Sequence, residues 1–194
     1  MMHRITGLGD VAVLVPVAAL VALYCFMAGH RRLALQWSLM ILVGMALTGV
    51  AKLTFHACGD MLTGDRIRSP SGHAALSMMV FGGLAIVMAG GRDRIIRVLF
   101  ALGGAVLVLL IGWSRVRLNY HTRSEVLAGF MLGGFCLAVF SAFYKQERLS
   151  LAGLVLISVF LGLTAYALRK LSFTPEYALE AFANRLQIWL DVCR

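Results

Sequence analysis

Long apolar runs follow one another along this chain with only a few charged residues between them, and they constrain its fold more than any other feature. The first, "VAVLVPVAALVALYCFMA", occupies residues 11–28. About 20 apolar residues in a row make an α-helix long enough to cross a hydrocarbon core of roughly 30 Å. Six such spans are read, at about 9–28, 33–55, 72–90, 94–113, 123–143 and 149–169. With 60% of its residues hydrophobic and 14% charged, the chain excludes a water-soluble domain. The fold expected is all-α: a polytopic membrane helical bundle forming a single transmembrane domain over residues 1–170. The first run is kept as a retained span rather than a signal peptide, being long for one, preceded by Asp10 instead of positive charge, and followed by no A-x-A site.

The connections carry the topology. Arg31 and Arg32, Arg92, Arg94 and Arg97, and Lys145 with Arg148 lie in or beside very short loops on one side, which the positive-inside rule marks as cytoplasmic. Both termini and two polar loops, 56–71 and 114–122, then face outward. The net charge of +9 follows from this asymmetry and from a cationic site for anionic headgroups, not from nucleic-acid binding. Glycines within the spans, such as Gly129 and Gly133, suit close helix packing in lipid. Residues 171–194 change character. Thr174, Pro175 and Glu176 read as a helix start, and Leu179, Phe182, Leu186 and Trp189 recur at helical spacing, as in an amphipathic helix lying in the interface. Cys25 and Cys136 read as core residues, while Cys58 and Cys193 share one face and leave a disulfide open.

Polar groups near a membrane cost free energy unless they are used, and they gather in three places. Lys52 stands near the end of the second span, with His56 one turn on. "RSPSGH", residues 68–73, opens the third. "WSRVRLNYHTRSE", residues 113–125, joins the fourth to the fifth. The start of a helix presents unpaired N–H groups and the positive end of its dipole, both of which favour an anion. Ser71 adds a hydroxyl, Gly72 lets an oxyanion approach the backbone, and Lys52 and Arg115 add permanent charge, the arginine as a fork fitted to two phosphate oxygens. If the fifth span begins near His121, Glu125 lies on the same helical face and can fix the imidazole tautomer, leaving one nitrogen nucleophilic. His73 is then the acid for the leaving oxygen. Cations and amides take the place of a metal, so neither metal nor cofactor is expected.

In this order, "K", "PSGH" and "SR-x5-H" resemble the motifs of the type-2 phosphatidic acid phosphatase family, over about residues 50–145. The resemblance implies a helical bundle and a metal-free phosphohistidine mechanism, with Lys52, Ser71, Gly72 and Arg115 on the phosphate, His73 as acid, His121 as nucleophile and Glu125 as the orienting acid. Two departures stand out. The first motif of the family reads K-x6-R-P, whereas Gly59 and Asp60 occupy those places here; whether Arg66 or Arg68 replaces the missing arginine from the same loop stays open. The orienting acid, usually aspartate, is Glu125. The function expected is an integral membrane phosphatase acting on an anionic lipid phosphate or diphosphate at the outer face of a bacterial-type inner membrane. A lipid phosphotransferase using the same residues, and a catalytically dead headgroup-binding protein, are the alternatives. Which lipid is the substrate, and the oligomeric state, stay open.

Overall fold

The computed structural model describes residues 2–63, 69–145 and the isolated positions 149, 150, 153, 159 and 163; over 56–63 it describes the backbone path alone. The described chain is helical throughout: α1 (Met2–Leu8), α2 (Val11–Met27), α3 (Arg31–Thr63), α4 (Gly72–Ala89), α5 (Arg94–Arg117) and α6 (Arg123–Phe143). Among the described residues five segments are long and apolar enough to cross a membrane: Met2–Met27, Arg31–Phe55, Gly72–Ala89, Arg94–Arg117 and Arg123–Phe143. They coincide with the first five spans expected, and the chain is an all-α membrane bundle. The sixth span, 149–169, lies outside the described residues apart from those isolated positions. So do the amphipathic helix at 171–194, Arg66, Arg68 and Cys193; of Cys58 only the backbone, within α3, is described.

The bundle is built around α4. Of its spanning window 56% is buried, against 17% for α5, and it packs most extensively on α5 and α6. The outward face of α5 (Ile95, Leu99, Leu102, Val106 and Leu109) is exposed, as a surface that meets lipid should be. Small residues let the helices close on one another. A side chain at Gly129 would run into the carbonyl oxygen of Ser71, and one at Gly133 into that of Ala75, so this glycine pair, four residues apart, seats α6 directly on the α4 backbone. Gly104 likewise faces the Phe81 carbonyl from α5. In the half of the bundle farther from the start of α4, Trp37 is fully buried. Its indole N–H donates to the Ala18 carbonyl at 2.9 Å, and its ring stands edge-on to Phe140. Cys25 and Cys136 are buried free thiols.

Several boundaries differ from the sequence reading. Residues 2–8, placed before the first span, form the short helix α1, and Asp10 caps α2 by accepting from the Ala12 N–H at 2.9 Å. Residues 56–63, expected in a loop, belong to α3, which continues beyond the apolar stretch; leaving the hydrocarbon does not by itself end a helix. The loop expected at 114–122 is shorter too. Ser114 to Arg117 complete the last turn of α5, where basic side chains complement the dipole. The helix ends at Leu118, and Asn119, at φ 56°, turns the chain back. Asn is among the few non-glycine residues that adopt this left-handed conformation readily.

Candidate active site

The chain order puts the start of α2, the later part of α3, the start of α4, the end of α5 and the start of α6 at one end of the bundle, and the three polar clusters meet there. The head of α6 is the most tightly specified part. Thr122 is its N-cap, and its hydroxyl accepts from the Glu125 N–H at 3.3 Å. Glu125 Oε2 reaches back to accept from the Thr122 N–H at 2.9 Å, completing a reciprocal capping box. The same oxygen lies 3.0 Å from His121 Nδ1. His121 is therefore not on the helix with Glu125, as the sequence reading had it. It precedes the cap, and the capping box swings the carboxylate to it. This accounts for glutamate in place of the aspartate usual in the resembled pattern: at the third helical position, the longer acid reaches both the cap N–H and the imidazole.

Glu125 also ties α6 to the start of α4. Its Oε1 accepts a long contact, 3.4 Å, from the Ser69 N–H, and its backbone carbonyl accepts from the Ser71 N–H at 3.0 Å. Ser71 is the N-cap of α4, with extended backbone, yet its hydroxyl makes no cap hydrogen bond. That hydroxyl is wholly buried and has no hydrogen-bond partner among the described residues. An unsatisfied buried hydroxyl costs about 1–3 kcal/mol, so its retention calls for an acceptor or donor that arrives from elsewhere. Gly72 sits against Lys52: a Cβ built on Gly72 would lie 3.5 Å from Cε and 3.7 Å from Nζ of that lysine. The ammonium of α3 and the amide-rich end of α4 thus face one small space.

Arg115 is only 7% exposed. Its guanidinium lies 4.5 Å above the Tyr120 ring, and its Nη1 donates to the Thr6 hydroxyl of α1 at 3.4 Å. Its carbonyl accepts from the N–H groups of Tyr120 and His121, at 3.1 and 3.4 Å, so the end of α5 and the nucleophile candidate are bound through one peptide group. Burial pushes the His121 imidazole below its ordinary value of 6.5; the charges of Arg115 and Lys52 push the same way, and the hydrogen bond and charge of Glu125 oppose them. At neutral pH the ring is therefore uncharged, with Nδ1–H held toward Glu125 and a lone pair left on Nε2. His73, on the first turn of α4, faces the α1–α2 corner. Gly9 lies beside its ring, and Asp10 Oδ2 is 4.0 Å from its Nε2.

Lys52, Ser71, Gly72, Arg115, His121 and Glu125 are thus linked by direct contact or by charge acting on His121. His73 follows Gly72 on the first turn of α4, with Asp10 and Gly9 as its neighbours, and Arg68 lies outside the described residues. The sequence reading missed Thr6, Asp10 and Thr122. "T-x-x-E" ahead of an apolar run is itself a capping-box signature, so Thr122 was legible. Thr6 and Asp10 come close only through tertiary packing.

Comparison with known proteins bears on the same residues. A relative from Klebsiella pneumoniae, an uncharacterized 22.5 kDa protein in the cps region, is 33% identical over 144 residues, covering 73% of this chain and 68% of the relative. No solved structure is matched by the chain. The sequence model of the PAP2 superfamily matches residues 56–149, a stretch that begins just after Lys52 and takes in Ser71, Gly72, His73, Arg115, His121 and Glu125. With those residues converging at one end of a membrane helical bundle, and with that match, the chain belongs to the PAP2 superfamily.

Proposed function

We propose that this protein is a metal-independent membrane phosphatase for a lipid phosphate or diphosphate, working through a phosphohistidine at His121. The observation that carries the proposal is the buried His121–Glu125 pair at 3.0 Å, its imidazole kept from protonation by burial first and by the charges of Arg115 and Lys52 besides. Cations that make an imidazole hard to protonate are also those that attract a phosphate, so one electrostatic arrangement prepares nucleophile and substrate together.

In the reaction, His121 Nε2 attacks phosphorus while Glu125 holds the Nδ1 proton and stabilises the charge that develops on the ring. The bond from phosphorus to the leaving oxygen breaks, and His73 supplies that oxygen with a proton. Water then attacks the phosphohistidine and returns its proton to His73, releasing phosphate and restoring both rings. Lys52, Arg115, the Ser71 hydroxyl and the amides at Gly72 hold the phosphoryl oxygens, with Arg68 as a further contact from the preceding loop. Five helices long and apolar enough to cross a membrane support a site at the bilayer surface, where a lipid headgroup arrives without leaving the membrane. The side assigned is the exterior of a bacterial inner membrane, from the short basic loops at the opposite end.

The test is phosphate release by purified protein in detergent with EDTA present, comparing phosphatidic acid, phosphatidylglycerol phosphate and undecaprenyl diphosphate. Release that persists in EDTA and disappears in His121→Ala is expected. Release that requires an added divalent metal, or that survives His121→Ala, refutes the mechanism.

A further inference from the structure

The N-terminal segment supplies groups to the site although it lies well before the stretch matched by the superfamily, which starts at residue 56. Thr6 accepts from Arg115. Gly9 lies beside the His73 ring, and a side chain there would touch that ring and collide with Ile111. The chain then turns, and Asp10 places its carboxylate 4.0 Å from His73 Nε2. We infer that Asp10 is a positioning residue for His73, a second carboxylate–imidazole pair that keeps this ring protonated so that it can serve as the acid. The inference rests on the phosphatase reading and deepens it by assigning the source of the leaving-group proton.

The charge distribution explains why such a residue is needed. A general acid must hold its proton until the leaving oxygen takes it, yet Lys52 of α3 and Arg115 of α5 make this end of the bundle cationic, which disfavours an imidazolium. His121 and Glu125 at the head of α6 do not offset this, because that carboxylate is already bonded to His121 and to the Thr122 N–H. His3 and Arg4 of α1 bring further basic groups and no acid. Among the residues whose side chains are described, Asp10 is the remaining carboxylate at this end, the third such acid being Asp93, on the far loop before α5. The separation of 4.0 Å lies beyond a direct hydrogen bond but within range of a charge interaction. An imidazolium carries a proton on each nitrogen: the one on Nε2 faces Asp10, and the other goes to the leaving oxygen.

Asp10 also caps α2, and this permits a clean test. Asn and Ser are equally good N-caps, so Asp10→Asn and Asp10→Ser remove the charge and keep the helix start. Turnover is measured with a lipid phosphate, whose alkoxide leaving group needs a proton, and with p-nitrophenyl phosphate, whose leaving group does not. Both variants are expected to slow the lipid phosphate about tenfold more than the aryl phosphate, a part of the 10²–10⁴-fold that general acid catalysis supplies. The alkaline limb of the lipid phosphate rate is expected to move to lower pH, because His73 sheds its proton more easily without the carboxylate. Asp10→Glu, which restores the charge, should recover most of the difference. Equal losses on the two substrates, or an alkaline limb that stays in place, overturn the inference. His121→Ala is run alongside: if it matches wild type, the phosphatase reading itself has failed, whereas a dead His121→Ala with an unaffected Asp10→Asn defeats only the role given to Asp10.

Discussion

Replacing Glu125 by aspartate, the acid more usual in the resembled pattern, is expected to damage this site. Glu125 Oε2 serves His121 Nδ1 at 3.0 Å and the Thr122 N–H at 2.9 Å, while Oε1 takes the Ser69 N–H at 3.4 Å. Removing one methylene draws the carboxylate back by about one C–C bond, roughly 1.5 Å. Contacts of this kind then open to about 4 Å or more, past the limit of a hydrogen bond. A hydrogen bond to a charged group contributes about 1.5–3 kcal/mol. Losing the one to His121 in the transition state corresponds to a fall in kcat of roughly 10- to 150-fold. KM should change little, because the phosphate contacts of Lys52, Ser71 and Arg115 remain. The cap is weakened as well, so the melting temperature measured in the same detergent should drop. Glu125→Gln separates reach from charge: it keeps the length, and with it most of the capping, but cannot stabilise a positive ring, so it should melt nearer to wild type and still turn over slowly. The assay is metal-free phosphate release on one lipid phosphate at saturating and limiting concentrations. An aspartate variant as fast as wild type would show that α6 shifts easily to carry a shorter acid to His121, and the account of why glutamate stands here would be wrong.

The lowered affinity of His121 for protons sets the acid side of the pH profile. Activity should fall as pH drops through a value below 6.5, and Lys52→Met, which removes one of the charges that push it down, should move that limb to higher pH in a kcat/KM profile. The same group makes folding weakly pH-dependent: below about 6.5 the unfolded chain takes up a proton that the folded site resists, so stability should decline from there down to the folded-state value and level off beneath it. Ser71→Ala should give opposite signs, lowering kcat/KM about tenfold while leaving the melting temperature equal or higher, since it removes an unsatisfied buried hydroxyl. Gly129→Ala should cost about 1–3 kcal/mol by overpacking against the Ser71 carbonyl and should impair activity too, whereas Gly103→Ala, with nothing near its added methyl, should melt and turn over as wild type does.

Much of this could be read from the residues in order. The apolar runs dictated the helices, since lipid leaves the backbone little else to form, and the ordering of Lys52, Ser71–Gly72–His73, Arg115 and His121 along alternating spans put them at one end without any knowledge of packing. What escaped the reading has physical causes. Polarity was taken as the end of a helix, so α3 and α5 were cut short; yet Ser114 and Arg115 sit comfortably in a last turn, and the actual stop is the left-handed Asn119. The His121–Glu125 contact was anticipated for the wrong reason, because spacing by four suggests a shared helical face whereas the contact comes from a capping box. Asp10 was read only as a charge before the first span, one that argues against a signal peptide. Its nearness to His73 depends on a close approach at Gly9 that no local pattern announces.

The buried hydroxyls show how the site differs from the bundle around it. Thr48 donates to the Gly44 carbonyl at 2.7 Å, Ser77 to Ala74 at 3.1 Å, and Ser114 to Ile111 at 2.6 Å. Each is satisfied by its own helix, using a carbonyl three or four residues upstream, which is how a polar side chain survives inside an apolar bundle. Ser71 has no such recourse. It is the cap residue, so no helical turn precedes it, and its own N–H is already given to the Glu125 carbonyl. Glu125 in turn is fixed by the capping box that orients His121. The contacts that begin α4 and α6 are thus the same contacts that aim the imidazole, and they leave the Ser71 hydroxyl without a hydrogen bond among the described residues. A helix end inside a membrane protein must satisfy its polar groups somehow; under the proposed function a phosphate takes up part of that requirement, and headgroup binding would then complete the fold as well as begin the chemistry. It follows that a bound phosphate analogue should raise the melting temperature of wild type more than that of Ser71→Ala, and equal shifts in the two proteins would show that the hydroxyl has no part in the cradle.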